Sequence, residues 1–89
     1  MEKNLDRIME QILSNTDILG CIFTDKQGLC IGAKGRATPE SAGYIAAIAN
    51  QVAKLEPNKE TPIITLENDN QKCIIQNIGP ITGAIYKNI

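Results

Sequence analysis

The side chains able to do chemistry in this chain are few, and each stands where a structural role accounts for it. There is no histidine, which excludes Ser–His and Cys–His nucleophile pairs and histidine-ligated metals. Cys21, Cys30 and Cys73 lie within apolar runs. Their odd number and the lack of CxxC or zinc spacing read as reduced core thiols of an intracellular protein. A nucleophilic Cys30 would need a lowered thiol pKa, and Lys34 is its only nearby candidate cation; a buried apolar thiol is the better reading. Gly28, Gly32 and Gly35 in GLCIGAKG suggest a phosphate cradle. The spacing G-x-x-x-x-G-K-[ST] is not met, and Gly35 stands where the Ser or Thr belongs, so these read as hairpin glycines. Glu67 to Asn70 has the acidity of a calcium loop. It begins on Glu and has Lys72 where that loop requires Gly, so it reads as a hairpin turn. Asp25, Glu40, Glu56 and Asp69 all fall at turns or caps. The expectation is a chain that is not an enzyme, with no cofactor and no metal.

What remains is surface, and the elements that present it. Thr38 to Glu56, TPESAGYIAAIANQVAKLE, reads as one long helix, with Thr38 as cap, Pro39 at the first helical position and Pro57 as the stop. At 100° per residue Ile45, Ile48, Ala49, Val52 and Leu55 share one face, the expected core stripe. Beside it run Ala42, Gly43, Ala46, Ala47, Asn50 and Ala53, a strip with little side-chain bulk. Such a strip admits another backbone, and Gly43, costing about 1 kcal/mol against Ala in a helix interior, argues against propensity alone. The strip, with neighbouring Lys54, is therefore expected to meet a partner helix.

The rest of the chain reads in order. Leu5, Ile8, Met9, Ile12 and Leu13 recur at helical spacing and predict an amphipathic helix over 2–13. Ile18 to Thr24 and Leu29 to Lys34 read as a hairpin around Asp25 to Gly28. A polar loop over 57–61 precedes three strands, Pro62 to Leu66, Lys72 to Asn77 and Ile81 to Lys87. The expected order is α-β-β-α-β-β-β. Adjacent apolar pairs such as Ile22 with Phe23 and Ile74 with Ile75 suggest a sheet covered on both faces, one helix per face. Pro62 suits an edge or first strand position. Pro62, Ile63, Ile64, Thr65 and Leu66 carry no charge to blunt such an edge, so with the small strip they form a composite docking surface.

Composition narrows the partner. Eighty-nine residues make one domain, 1–89, which buries only about 60 to 65% of its unfolded surface and gains from a partner. Nine Lys plus Arg stand against ten Asp plus Glu, scattered along the chain, so nothing marks nucleic acid or an anionic membrane. No run approaches the ~18 apolar residues of a membrane span, so the chain is expected to carry no anchor of its own.

GCIFTDKQGLCIGAKG (20–35), AGYIAAIANQVAKL (42–55), PIITLENDNQKCIIQ (62–76) and ITGAIYK (81–87) resemble the hepatitis B X-interacting protein family. These are roadblock-type subunits of Ragulator, the late endosomal and lysosomal adaptor. T-D-x-Q-G-L in the hairpin together with L-E-x-D-N in the later turn makes the likeness specific; Tyr44, Pro80 and Gly83 depart from it. The resemblance implies a roadblock/LC7-like α+β fold, a five-stranded antiparallel sheet with a helix on each face. It also implies pairing through the long second helix and the edge of the third strand, which fall on the two surfaces found above. By the same resemblance the partner is another roadblock subunit in a larger complex, a heterodimer. That complex supports recruitment of Rag-type GTPases and the TOR kinase complex in amino-acid signalling, and it is held at the lysosomal surface by other subunits. The alternative is a homodimeric roadblock regulator that binds a small GTPase directly.

Overall fold

A computed structural model describes residues 2–55 and 62–88. Element order is α1 (Glu2–Leu13), β1 (Ile18–Asp25), β2 (Cys30–Gly35), a 3-10 turn (Pro39–Ser41), α2 (Ala42–Ala53), β3 (Ile63–Glu67), β4 (Gln71–Ile78) and β5 (Ile81–Asn88). The expected α-β-β-α-β-β-β succession holds. The strands form one sheet in the order β2-β1-β5-β4-β3, every neighbouring pair antiparallel. The sheet thus has β2 at one edge and β3 at the other.

Alternation along β1 sends Ile22 and Thr24 to one face and Cys21 and Phe23 to the other. The first face carries the main core, where Ile22, Ile75 and Ala84 of the sheet meet Ala42, Ile45 and Ala49 of α2. Among the described residues two polar side chains are fully buried, Thr24 and Thr82, and both are satisfied. Thr24 Oγ1 donates to the Leu29 carbonyl at 2.9 Å and Thr82 donates to Asn77 Oδ1, so neither leaves an orphaned group in the core. On the other face α1 packs against β1 and β2. Met9 is buried there against Gly32, where an added Cβ would come within 2.8 Å of the Met9 methyl. Lys34 Nζ lies 3.9 Å from Asp6 and 3.6 Å from Glu10; these are exposed pairs that add little.

Two differences from the sequence reading concern the central helix. Its first turn, Pro39–Ser41, is 3-10, and the α-helix proper starts at Ala42. Thr38 precedes it in extended geometry but its hydroxyl lies 3.3 Å from Ser41 Oγ and bonds no backbone N–H; the Ser41 hydroxyl competes for it. The helix ends at Ala53. Glu56, the Pro57 stop and the 57–61 loop lie outside the described residues. The second difference is rotational. Ala42, Ala46 and Ala49 are all buried to 2% exposure or less, while Leu55 is 79% exposed. At 100° per residue the core face is turned roughly 70° from the stripe of bulky residues. The alanines let a backbone come close, and that backbone belongs to the chain's own sheet.

A further difference concerns coverage. There is one helix per face, yet α1 spans only the β2–β1 half. Ile63 and Ile78 stay more than 60% exposed.

Candidate partner-binding face

With its alanines turned inward, α2 presents Gly43, Tyr44, Ala47, Gln51, Lys54 and Leu55 outward. Tyr44 and Leu55 are 76% and 79% exposed. Eleven residues apart, they stand almost in line at 100° per residue, with Ala47 and Gln51 beside the line that joins them. A Cβ placed on Gly43 would meet nothing within 4 Å. The outer surface of the helix is therefore shallow around Gly43 and Ala47, beside Tyr44, a shape suited to a second helix.

The expected strip divides. Gly43, Ala47 and Lys54 are exposed and Ala53 is half-buried, whereas Ala42 and Ala46 belong to this chain's own core. Asn50 has an intrachain partner: its Nδ2 donates to the Lys26 carbonyl at 3.0 Å, holding the β1–β2 turn against α2. Tyr44 and Leu55 were not read as surface contacts from sequence. Their near-alignment on the helix was the available signal; the sequence reading placed Leu55 in the core stripe and gave Tyr44 no role in either surface.

The second surface is the edge of β3. Its five residues pair with β4 in unbroken register from Ile63 with Gln76 to Glu67 with Lys72, so every outward backbone group is left to solvent or a partner. Pro62, Ile63, Thr65 and Leu66 are exposed and Ile64 is half-buried against the core. Leu66, like Ile64, shares the sheet face covered by α2. The opposite edge is treated differently. β2 carries an irregularity against Phe23 and Thr24 of β1 and a charged Lys34, two devices that discourage strand addition. Only β3 offers a straight, nearly uncharged edge.

The remaining chemistry-bearing residues have structural duties. Asp25 Oδ1 accepts from the backbone N–H of Gln27 and of Leu29, each at 2.9 Å, closing the first hairpin turn. Asn68 Oδ1 does the same for Asn70 and Gln71 at 2.8 Å. Gly28 and Gly35 have φ of +93° and +71°, and Gly35 crosses against the Leu19 carbonyl, so these glycines shape a hairpin. Lys34, the cation considered for Cys30, turns to α1 and pairs with Asp6 and Glu10. Burial pushes the Cys21 thiol up, opposed weakly by Lys34, and pushes the Cys73 thiol up against a hydrogen bond with Tyr86.

This topology occurs on known proteins. The family model described as Ragulator complex protein LAMTOR5 matches residues 1–87. The chain belongs to the LAMTOR5 family. A Ragulator complex protein LAMTOR5 homolog of Nematostella vectensis is 36% identical to this LAMTOR5-family chain, covering 98% of it and 97% of the relative. The Ragulator complex protein LAMTOR5 of Xenopus tropicalis is 34% identical over the same shares. Among solved structures, a Roadblock/LC7 domain from Streptomyces avermitilis superposes with a TM-score of 0.73 at 16% identity, over 93% of this chain and 77% of that one. Myxococcus xanthus MglB superposes at 0.82 and 17% identity, over 98% and 71%. At such identities the likeness speaks to fold, and the fold of this LAMTOR5-family chain is Roadblock/LC7.

Proposed function

We propose that this chain is a non-catalytic scaffold subunit of a Ragulator-type complex and acts by pairing with another roadblock-type subunit. In that reading the outer face of α2 lies against the partner's helix and β3 joins the partner's sheet edge. The assembled complex then supports Rag GTPase and TOR kinase complex recruitment at the lysosomal surface, where other subunits hold it. Membership of the LAMTOR5 family supports the complex. The observation that carries the pairing is the exposed Tyr44 and Leu55 on α2, on the same face of the sheet as Leu66 of the unblunted β3 edge. Large exposed apolar groups beside a bare edge cost solubility unless covered.

The test is co-expression with candidate roadblock subunits, with molar mass read by light scattering during size exclusion. A one-to-one heterodimer that Ala47→Glu prevents, while circular dichroism of the variant is unchanged, is the expected result. A chain that stays monomeric with every roadblock subunit of its own organism overturns the reading.

A further inference from the structure

Leu66, Cys73 and Tyr86 form one cross-strand row through β3, β4 and β5. The row lies on the sheet face that carries α2, where Cys73 and Tyr86 pack against the main core. It lines a notch of about 270 Å³ that Glu67 and Lys72 also border. Two chain ends meet beside this notch. Leu66 and Glu67 are the last residues of β3, and the Tyr86 hydroxyl hydrogen-bonds the side chain of Ser41, just before α2 begins.

Leu55 stands at the other end of the same helix. Its backbone N–H still bonds the Val52 carbonyl at 3.0 Å, so the residue is held on the last turn, yet it is 79% exposed. Gly43 and Asn50 turn one flank of α2 to the β1–β2 turn. At 100° per residue Leu55 falls on the other flank, nearly in line with Ile48, toward β3.

Edge-to-edge pairing of two such sheets through β3 has two symmetric arrangements. With parallel β3 strands the two-fold axis runs along them and puts the two α2 helices on opposite faces. With antiparallel strands the axis is normal to the sheet, both helices stay on one face, where the pairing reading needs them, and they run antiparallel too. In that arrangement the partner's second helix ends where this chain's α2 begins, beside the notch. Two-fold contacts are reciprocal, so whatever the partner's helix end places in this notch, Leu55 places in the partner's.

We propose that the notch of Leu66, Cys73 and Tyr86 is the socket for a large apolar side chain at the C-terminal end of the partner subunit's second helix, the counterpart of Leu55. The proposal rests on the pairing reading and adds the kind of subunit that fits: one with a leucine-sized apolar residue there and a notch of its own for Leu55. The test uses the one-to-one complex obtained by co-expression. Cys73 in the notch and Cys30 on β2, at the far edge of the sheet, are partly buried free thiols, so pulse labelling with N-ethylmaleimide at pH 8, read by peptide mass spectrometry, reports covering at each. Labelling of Cys73 should be at least tenfold slower in the complex than in the free chain, with Cys30 unchanged. Alanine at the partner's helix-end residue should restore Cys73 labelling. Leu55→Ala should keep the parent's melting curve and raise the dissociation constant about tenfold or more, as loss of a buried leucine does. A complex in which Cys73 labels as fast as in the free chain overturns the socket and leaves pairing standing, and so does an unchanged dissociation constant for Leu55→Ala. Absence of any complex overturns both.

Discussion

Asn50 Nδ2 donates a 3.0 Å hydrogen bond to the carbonyl of Lys26, twenty-four residues away. This bond joins α2 to the β1–β2 turn and orients the helix face that Tyr44 and Leu55 share. A side-chain to backbone bond of this kind contributes about 0.5 to 1.5 kcal/mol. Asn50→Ala should therefore lower the melting temperature by a few degrees, since 1 kcal/mol is worth about 4 to 8 °C in a domain this small. Asn50→Asp should do worse, because a carboxylate oxygen would then face the Lys26 carbonyl. Thermal unfolding of the three proteins by circular dichroism decides it, and a more stable Asp variant would refute the assigned donor.

Gly28 sits beside the same contact. Its φ is +93°, and an added Cβ would lie 2.9 Å from the Cα of Gly43. Gly28→Ala combines a left-handed conformation, costing about 1 to 2 kcal/mol for a residue with a side chain, with a clash against helix backbone that cannot move aside. A fall in stability of at least 2 kcal/mol or so is expected in urea denaturation. The control is Gly79→Ala: φ is +60° there too, but nothing lies within 4 Å, so its loss should be the smaller.

Neighbouring positions on α2 should separate folding from pairing. Ala46 is 2% exposed, so Ala46→Glu buries a charge without a partner and should unfold the chain. Ala47, one residue on, faces outward. Ala47→Glu should leave the melting curve within about 0.5 kcal/mol of the parent and act on association alone. Equal stability of the two variants would show that the helix is rotated from the orientation described here.

Alkaline pH should weaken the fold. Desolvation raises the Cys21 and Cys73 thiols above their ordinary 9.0, and desolvation followed by the nearby Cys73 raises the Tyr86 hydroxyl above 10.0. A raised acid pKa means the folded state holds its proton more tightly than the unfolded one. The associated stability is complete below pH 9 and is lost as pH climbs through the folded-state values. Urea midpoints at pH 7 and pH 10 should show the fall, and Cys73→Ser should reduce it. The same shifts predict slow iodoacetamide labelling of Cys21 and Cys73 at pH 7, accelerated by urea.

Much of this architecture is local in origin, which is why the chain discloses it. The period of Leu5, Ile8, Met9 and Ile12 places α1, Asp25 and Asn68 write their turns through their own side chains, and the position of Pro62 before an uncharged run marks an edge strand. Each depends on neighbours a few residues away. The likeness of the whole chain to a family then supplies the topology that local signals cannot.

The rotation of α2 could not be read that way. A helical wheel ranks residues by size and polarity, and by that ranking Ile48, Val52 and Leu55 belong inside and Ala42 and Ala46 outside. The sheet beneath decides otherwise, because close approach of helix and strands favours small side chains at the contact: Ala42 and Ala49 fit over Ile22, Ile75 and Ala84, Ala46 is buried beside them, and Leu55 is turned out. The half-covered face has the same cause. Ile74, Ile78 and Ile85 are apolar enough for any core, but α1 has twelve residues and reaches only β1 and β2. By itself the sequence determined the elements, their order and the family; which faces are spent on the chain's own core, and which remain for a partner, was decided by packing between residues far apart in the chain.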